Sequence, residues 1–80
     1  MEITVRLLAS YRQFLPEDHD PRAGFAQQIA PGSRVADVLK DLPIPPAEPL
    51  TCLVNGRHAE RNQSLADGDV LSVFPAAGGG

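Results

Sequence analysis

The chain has 80 residues, 42% of them hydrophobic, and a formal net charge of -3. That length limits it to one domain with a small core, and that hydrophobic share is too high for a disordered segment. Ten acidic residues outnumber seven basic ones, and the basic ones (Arg6, Arg12, Arg22, Arg34, Lys40, Arg57, Arg61) are scattered, so no stripe exists to follow a nucleic-acid backbone.

Further classes fall away on the same reading. No apolar run approaches the ~20 residues of a membrane span, and the first residues do not read as a signal peptide. Cys52 is the single cysteine, which rules out an internal disulfide framework and makes a reducing cytoplasm the expected location.

In chain order, "MEITVRLL" alternates Ile3, Val5 and Leu7 with Thr4, Arg6 and Leu8, the period of a half-buried strand. Residues 9–24, with Pro16, Pro21 and Gly24, read as loop with a helical turn around residues 11–15. "FAQQIA" is a second strand with Phe25 and Ile29 on one face, broken by Pro31-Gly32. In "SRVADVLKDL", Val35, Val38, Leu39 and Leu42 fall on one helical face. Ser33 is the expected N-cap, with Ala36 where a capping box would want Glu or Gln, and Pro43 is the expected stop.

The proline-rich "PIPPAEP" is a spacer. "TCLVN" is a third strand, Asn55-Gly56 a hairpin turn, "RHAE" a short return strand, and "VLSVF" the last strand after an Asp67-Gly68 turn. The order β, β, α, β, β, β, with one helix to cover one face of one sheet, predicts an α+β roll with a mixed sheet of four to five strands.

Alternation also assigns faces. Ile3, Val5, Leu7, Cys52, Val54, Leu71 and Val73 point to the helix-covered core. Arg6, Leu8, Thr51, Leu53, Val70, Ser72 and Phe74 point to the open face, where Leu8, Leu53 and Phe74 would form an apolar patch.

Beyond Phe74 stand Pro75, two alanines and the glycines Gly78, Gly79 and Gly80. Pro75 lacks an N–H, so pairing is expected to end near Phe74 and residues 75–80 to form a flexible tail with a reach of roughly 20 Å. Glycines thread narrow channels, and a terminal carboxylate at Gly80 would be ionised at neutral pH. Such a carboxylate is a poor electrophile until a partner enzyme converts it to a mixed anhydride.

This order of elements resembles the ThiS/MoaD sulfur-carrier family. The marks are "ITVRLLASYRQFLP", "GSRVADVLKDL", "LVNGRHA", "LADGDVLSVFP" and the terminal glycines. The resemblance implies a single ubiquitin-like β-grasp domain over residues 1–80. It also implies that an E1-like adenylating enzyme, using ATP and Mg, activates Gly80, with Gly79 and Gly78 completing the tail motif. Sulfur from a persulfide donor would then give a thiocarboxylate.

The "VFPAAGGG" ending is closer to the small subunit of molybdopterin synthase than to the thiamine-pathway carrier. The implied acceptor is therefore that synthase's large subunit, packed on Leu8 and Phe74, with Leu53, Pro75 and His58 as further partner-surface residues. The chain itself would hold no cofactor and no catalytic site of its own. The longer first loop, "PEDHDPRAG", departs from the family pattern. A carrier for another sulfur pathway, a ubiquitin-like modifier joined to lysines through Gly80, and a non-covalent β-grasp interaction module are the alternatives. His19, among acids, reads as part of a solvated loop and Cys52 as a packed small hydrophobe.

Overall fold

The computed structural model describes residues 1–15, 23–45 and 48–76. Strands β1 (Glu2–Leu7), β2 (Phe25–Gln28), β3 (Leu50–Val54), β4 (Arg57–Ala59) and β5 (Val70–Pro75) form one sheet in the order β2-β1-β5-β3-β4. The central pair β1 and β5 is parallel, and the other neighbours are antiparallel. Helix α1 (Val35–Lys40) covers one face. The result is the α+β, ubiquitin-like β-grasp roll, a mixed sheet packed on one main helix.

The core is the set that alternation selects. Ile3, Val5 and Leu7 of β1, Leu71 and Val73 of β5, and Cys52 and Val54 of β3 are all buried. Val35, Val38 and Leu39 of α1 meet them, with Leu42, Ile44 and Leu65 closing the edges. Phe25 and Ile29 pack against this cluster from the β2 side. The turn foreseen after β1 is a 3₁₀ segment (Ala9–Phe14) that buries Tyr11 and sets its ring 5.9 Å from that of Phe14.

The helix starts later than its sequence suggests. Val35 is its first residue and Arg34 its N-cap, whereas the Ser33 hydroxyl donates to the Ala30 carbonyl at 2.7 Å. The orphan N–H groups of the first turn find backbone acceptors instead: Val35 N–H donates to Gln63 O (3.0 Å) and Ala36 N–H to Arg61 O (2.8 Å). The Asp37 carboxylate accepts from Arg34 N–H at 2.9 Å, which supplies the acidic half of a capping box that Ala36 lacks.

Two turns lock the sheet. Asn55 (φ 52°) and Gly56 (φ 83°) both adopt the left-handed region that a tight hairpin between β3 and β4 requires. Asn55 Nδ2 donates to Asp69 Oδ1 (2.9 Å), and Asn55 Oδ1 accepts from Val70 N–H (2.9 Å). Asp67 accepts from Glu2 N–H (2.7 Å) and Asp69 from Ala66 N–H (2.8 Å), so both aspartates serve turn geometry.

Pairing ends near Phe74 as expected, its last pair setting Pro75 opposite Leu50. The antiparallel register explains why proline is tolerated. Asn55 N–H bonds Val70 O and Ala76 N–H bonds Pro49 O, so the hydrogen-bonded pairs of β3 and β5 alternate past the Leu50–Pro75 pair. The Pro75 nitrogen therefore faces the β1 side, where the ladder has already ended at Leu7–Val73.

Candidate functional site

The open face is organised by register into cross-strand rows. One row runs His58, Leu53, Ser72, Arg6 across β4, β3, β5 and β1. Gly24 extends it: a methyl built there would stand 2.9 Å from Arg6 Cγ. The next row towards the exit of the chain pairs Thr51 with Phe74, and Leu8 follows β1 on that side, its N–H donating to Val73 O at 2.9 Å. Leu8, Leu53 and Phe74 thus share one neighbourhood, with the exposed His58 at its rim.

None of the three apolar residues is fully exposed; each is half-buried, and among the described residues no large hydrophobic side chain stands free. The patch is shallower than alternation alone suggests, because close cross-strand neighbours cover part of each side chain. Pro75 differs in direction. It falls in phase with Leu71 and Val73 and so lies on the helix side, away from Phe74. The last described residue, Ala76, is tied by its N–H to Pro49 O at 3.2 Å. Gly80, the residue expected to react, and Gly79 and Gly78 of the tail motif lie outside the described residues, as does His19.

The side chains with nucleophilic potential are placed for packing. Cys52 is buried on the core side, and burial pushes its thiol pKa up, with the Arg61 cation offsetting part of that shift. A thiol held protonated in this way is unsuited to attack. Tyr11 is 2% exposed; burial, then the nearby Glu48 carboxylate, push its phenol up. Among the described residues no group of three His, Cys, Asp or Glu side chains is close enough to hold a metal.

Arg6 and Ser72 are the open-face members that a search for apolar contacts passes over. Alternation placed both on this face, but nothing in the sequence marked them as a pair. Only the parallel register of β1 and β5 sets them side by side.

The model of the ThiS family matches residues 5–80, nearly the whole chain. The chain belongs to the ThiS family. Members of this family are ubiquitin-like sulfur carriers that act with E1-like enzymes and partner subunits. Two solved structures share the fold. A protein from Pyrococcus furiosus assigned as molybdopterin converting factor, subunit 1, superposes with a TM-score of 0.75 at 23% identity, over 95% of this chain and 98% of that one. SAMP1 from Haloferax volcanii gives 0.71 at 19% identity, with both chains covered in full. At such identities the likeness speaks for the fold alone. A search of curated protein sequences finds no match. In this ThiS-family chain the half-buried apolar side chains of Leu8, Leu53 and Phe74 lie on the open face of the sheet, beside the end of β5.

Proposed function

We propose that this chain carries sulfur on its tail and delivers it to a molybdopterin precursor. The Gly80 carboxylate attacks the α-phosphate of ATP on an E1-like enzyme, releasing pyrophosphate and leaving an acyl-adenylate. A persulfide sulfur then attacks the carbonyl carbon and expels AMP. The resulting acyl disulfide is cleaved by a second thiol, which leaves with the donor's sulfur as a disulfide, and Gly80 keeps a thiocarboxylate. ATP and Mg serve the activating partner, and this chain contributes position. The large subunit of a molybdopterin synthase is the acceptor, resting on Leu8, Leu53 and Phe74.

The observation that carries this reading is the family match through to the terminal glycines, residues 5–80. The likeness to the Pyrococcus furiosus protein supports the choice of a molybdopterin acceptor. The test is intact-mass spectrometry of the full chain after incubation with the E1-like enzyme of the same genome, ATP, Mg and a persulfide donor. The expected product has one oxygen replaced by sulfur at the C-terminal residue, and removal of Gly80 abolishes it without loss of fold. Absence of that exchange, or isopeptide-linked glycine remnants on cellular lysines in its place, would overturn the proposal.

A further inference from the structure

The sheet has two edges, and they are not alike. β4 is three residues long and carries the exposed Arg57 and His58, the short charged form by which proteins guard an edge. β2 is the other edge, and residues 24–30 hold no charge and no proline. Its hydrogen-bonding parity is fixed at its end. Met1 and Ile29 exchange both backbone bonds at 2.9 Å, so Gln27 and Phe25 also bond β1, and Ala26 and Gln28 alternate with them. The N–H and C=O groups of Ala26 and Gln28 therefore point away from the sheet. Both residues are exposed, and Gln28 Nε2 donates to Glu2 Oε2 at 2.7 Å, which turns that side chain back over β1 and off the edge.

A second copy of this chain fits that edge by its own symmetry. Laid antiparallel about a two-fold axis through Gln27, Ala26 meets the partner's Gln28, and each gives and takes a backbone bond. On the helix side the same register sets Phe25 opposite the partner's Ile29, so the half-buried apolar side chains that end the core cover each other. An axis through Ala26 or Gln28 instead would set Phe25 or Ile29 against Gln27. Charge favours the same arrangement. The paired strands bring no like charges together, and Asp37 and Asp41, which line a cleft with Ile29, are carried to opposite ends of the joint.

We propose that β2 is a self-association edge, through which two copies of this chain join their sheets into one. The contact is short, so the dimer is weak and forms and breaks with concentration. It goes beyond the carrier reading and does not depend on it. β1 lies between β2 and β5, so the apolar patch of the open face and the exit at Ala76 stay clear of the joint.

Sedimentation velocity of the full chain across a wide concentration series tests it. The wild-type chain is expected to pass reversibly from monomer to dimer, with the backbone amide signals of Ala26 and Gln28 shifting over the same series in NMR spectra and that of His58 on β4 holding still. Gln27→Lys and Gln27→Glu, each alone, should weaken self-association about tenfold or more, because like charges then meet at the axis. An equimolar mixture of the two should recover the dimer, which a misfolded variant could not do. Ala26→Pro removes an N–H that points away from β1 and should also weaken the dimer. A wild-type chain that stays monomeric throughout, leaving the edge to a strand of some other protein, overturns the proposal. So does a dimer that both Gln27 variants leave intact, or a mixture that associates no more tightly than either variant alone.

Discussion

Gly24 offers a quantitative test of how β1 and β2 are joined. Its φ of +75° is a region that side-chain-bearing residues avoid. A Cβ added there would land on the Val5 carbonyl oxygen, 2.9 Å from Arg6 Cγ and 3.1 Å from Thr4 Cγ2. Arg6 can swing aside, but the Val5 carbonyl is backbone inside the sheet and cannot move without displacing β1. Gly24→Ala therefore carries a conformational cost of about 1–2 kcal/mol and a steric cost of about 1–3 kcal/mol. A stiffer unfolded chain offsets about 0.4–1 kcal/mol. The net loss is about 2–4 kcal/mol, against a total stability of about 4–12 kcal/mol for a chain of this size. Thermal unfolding should shift down by roughly 10–25 °C. Gly56→Ala is the control: its φ is +83°, yet nothing lies within 4 Å of the added methyl, so only the conformational part applies. Equal losses for the two variants, measured by differential scanning calorimetry, would refute the steric argument.

Other consequences are separable. Asp37→Ala removes the carboxylate that accepts from Arg34 N–H and should cost about 0.5–2 kcal/mol in urea unfolding; no change would mean that the Gln63 and Arg61 carbonyls cap the helix alone. Cys52 and Tyr11 both titrate above their ordinary values in the folded chain, so the unfolded chain releases its protons first. Stability should hold below about pH 8.5, the unfolded thiol value, and fall as pH rises towards the folded values. Cys52→Ala should flatten the first part of that fall, and iodoacetamide should label Cys52 only as the chain unfolds. Tyr11→Phe removes a buried hydroxyl that has no partner and should raise stability by about 1 kcal/mol at neutral pH; a loss would show that the hydroxyl bonds Glu48.

Alternation exposed the faces of β1, β3 and β5 because the core side of each strand is apolar throughout, so a period of two is written directly into Ile3-Val5-Leu7 and Leu71-Val73, even though Ser72 on the other side of β5 is buried as well. The start of α1 was not legible in the same way. Ser33 is a sound local cap, but the acceptors that serve the first turn belong to residues 61 and 63, some thirty positions away. The end of β5 is settled in a related way. A missing N–H matters only where an acceptor waits for it, and that depends on where β1 ends. The shallowness of the Leu8, Leu53 and Phe74 patch and the side-by-side placement of Arg6 and Ser72 are likewise products of register, which no single segment contains. The family marks were legible because they combine turn chemistry and strand order in one sequence of elements, which the match over residues 5–80 bears out.

On the carrier function proposed above, a short tether would link the binding face to the reacting end. Phe74 points to the open face, Pro75 to the other, and Ala76 is pinned to Pro49, so the chain leaves the sheet within about 7 Å of Phe74. A partner seated on Leu8, Leu53 and Phe74 therefore has the tail delivered at a fixed starting point, and the four residues from 77 to 80 set how far the carboxylate reaches. Insertion of two glycines between Ala76 and Ala77 lengthens that reach by about 7 Å while leaving every contact of the face in place. Affinity for the activating enzyme should stay the same and kcat for charging should fall, because binding is read by the sheet and positioning by the tether. If affinity fell and kcat held, the tail itself would be the main recognition element, and the face would be a bystander.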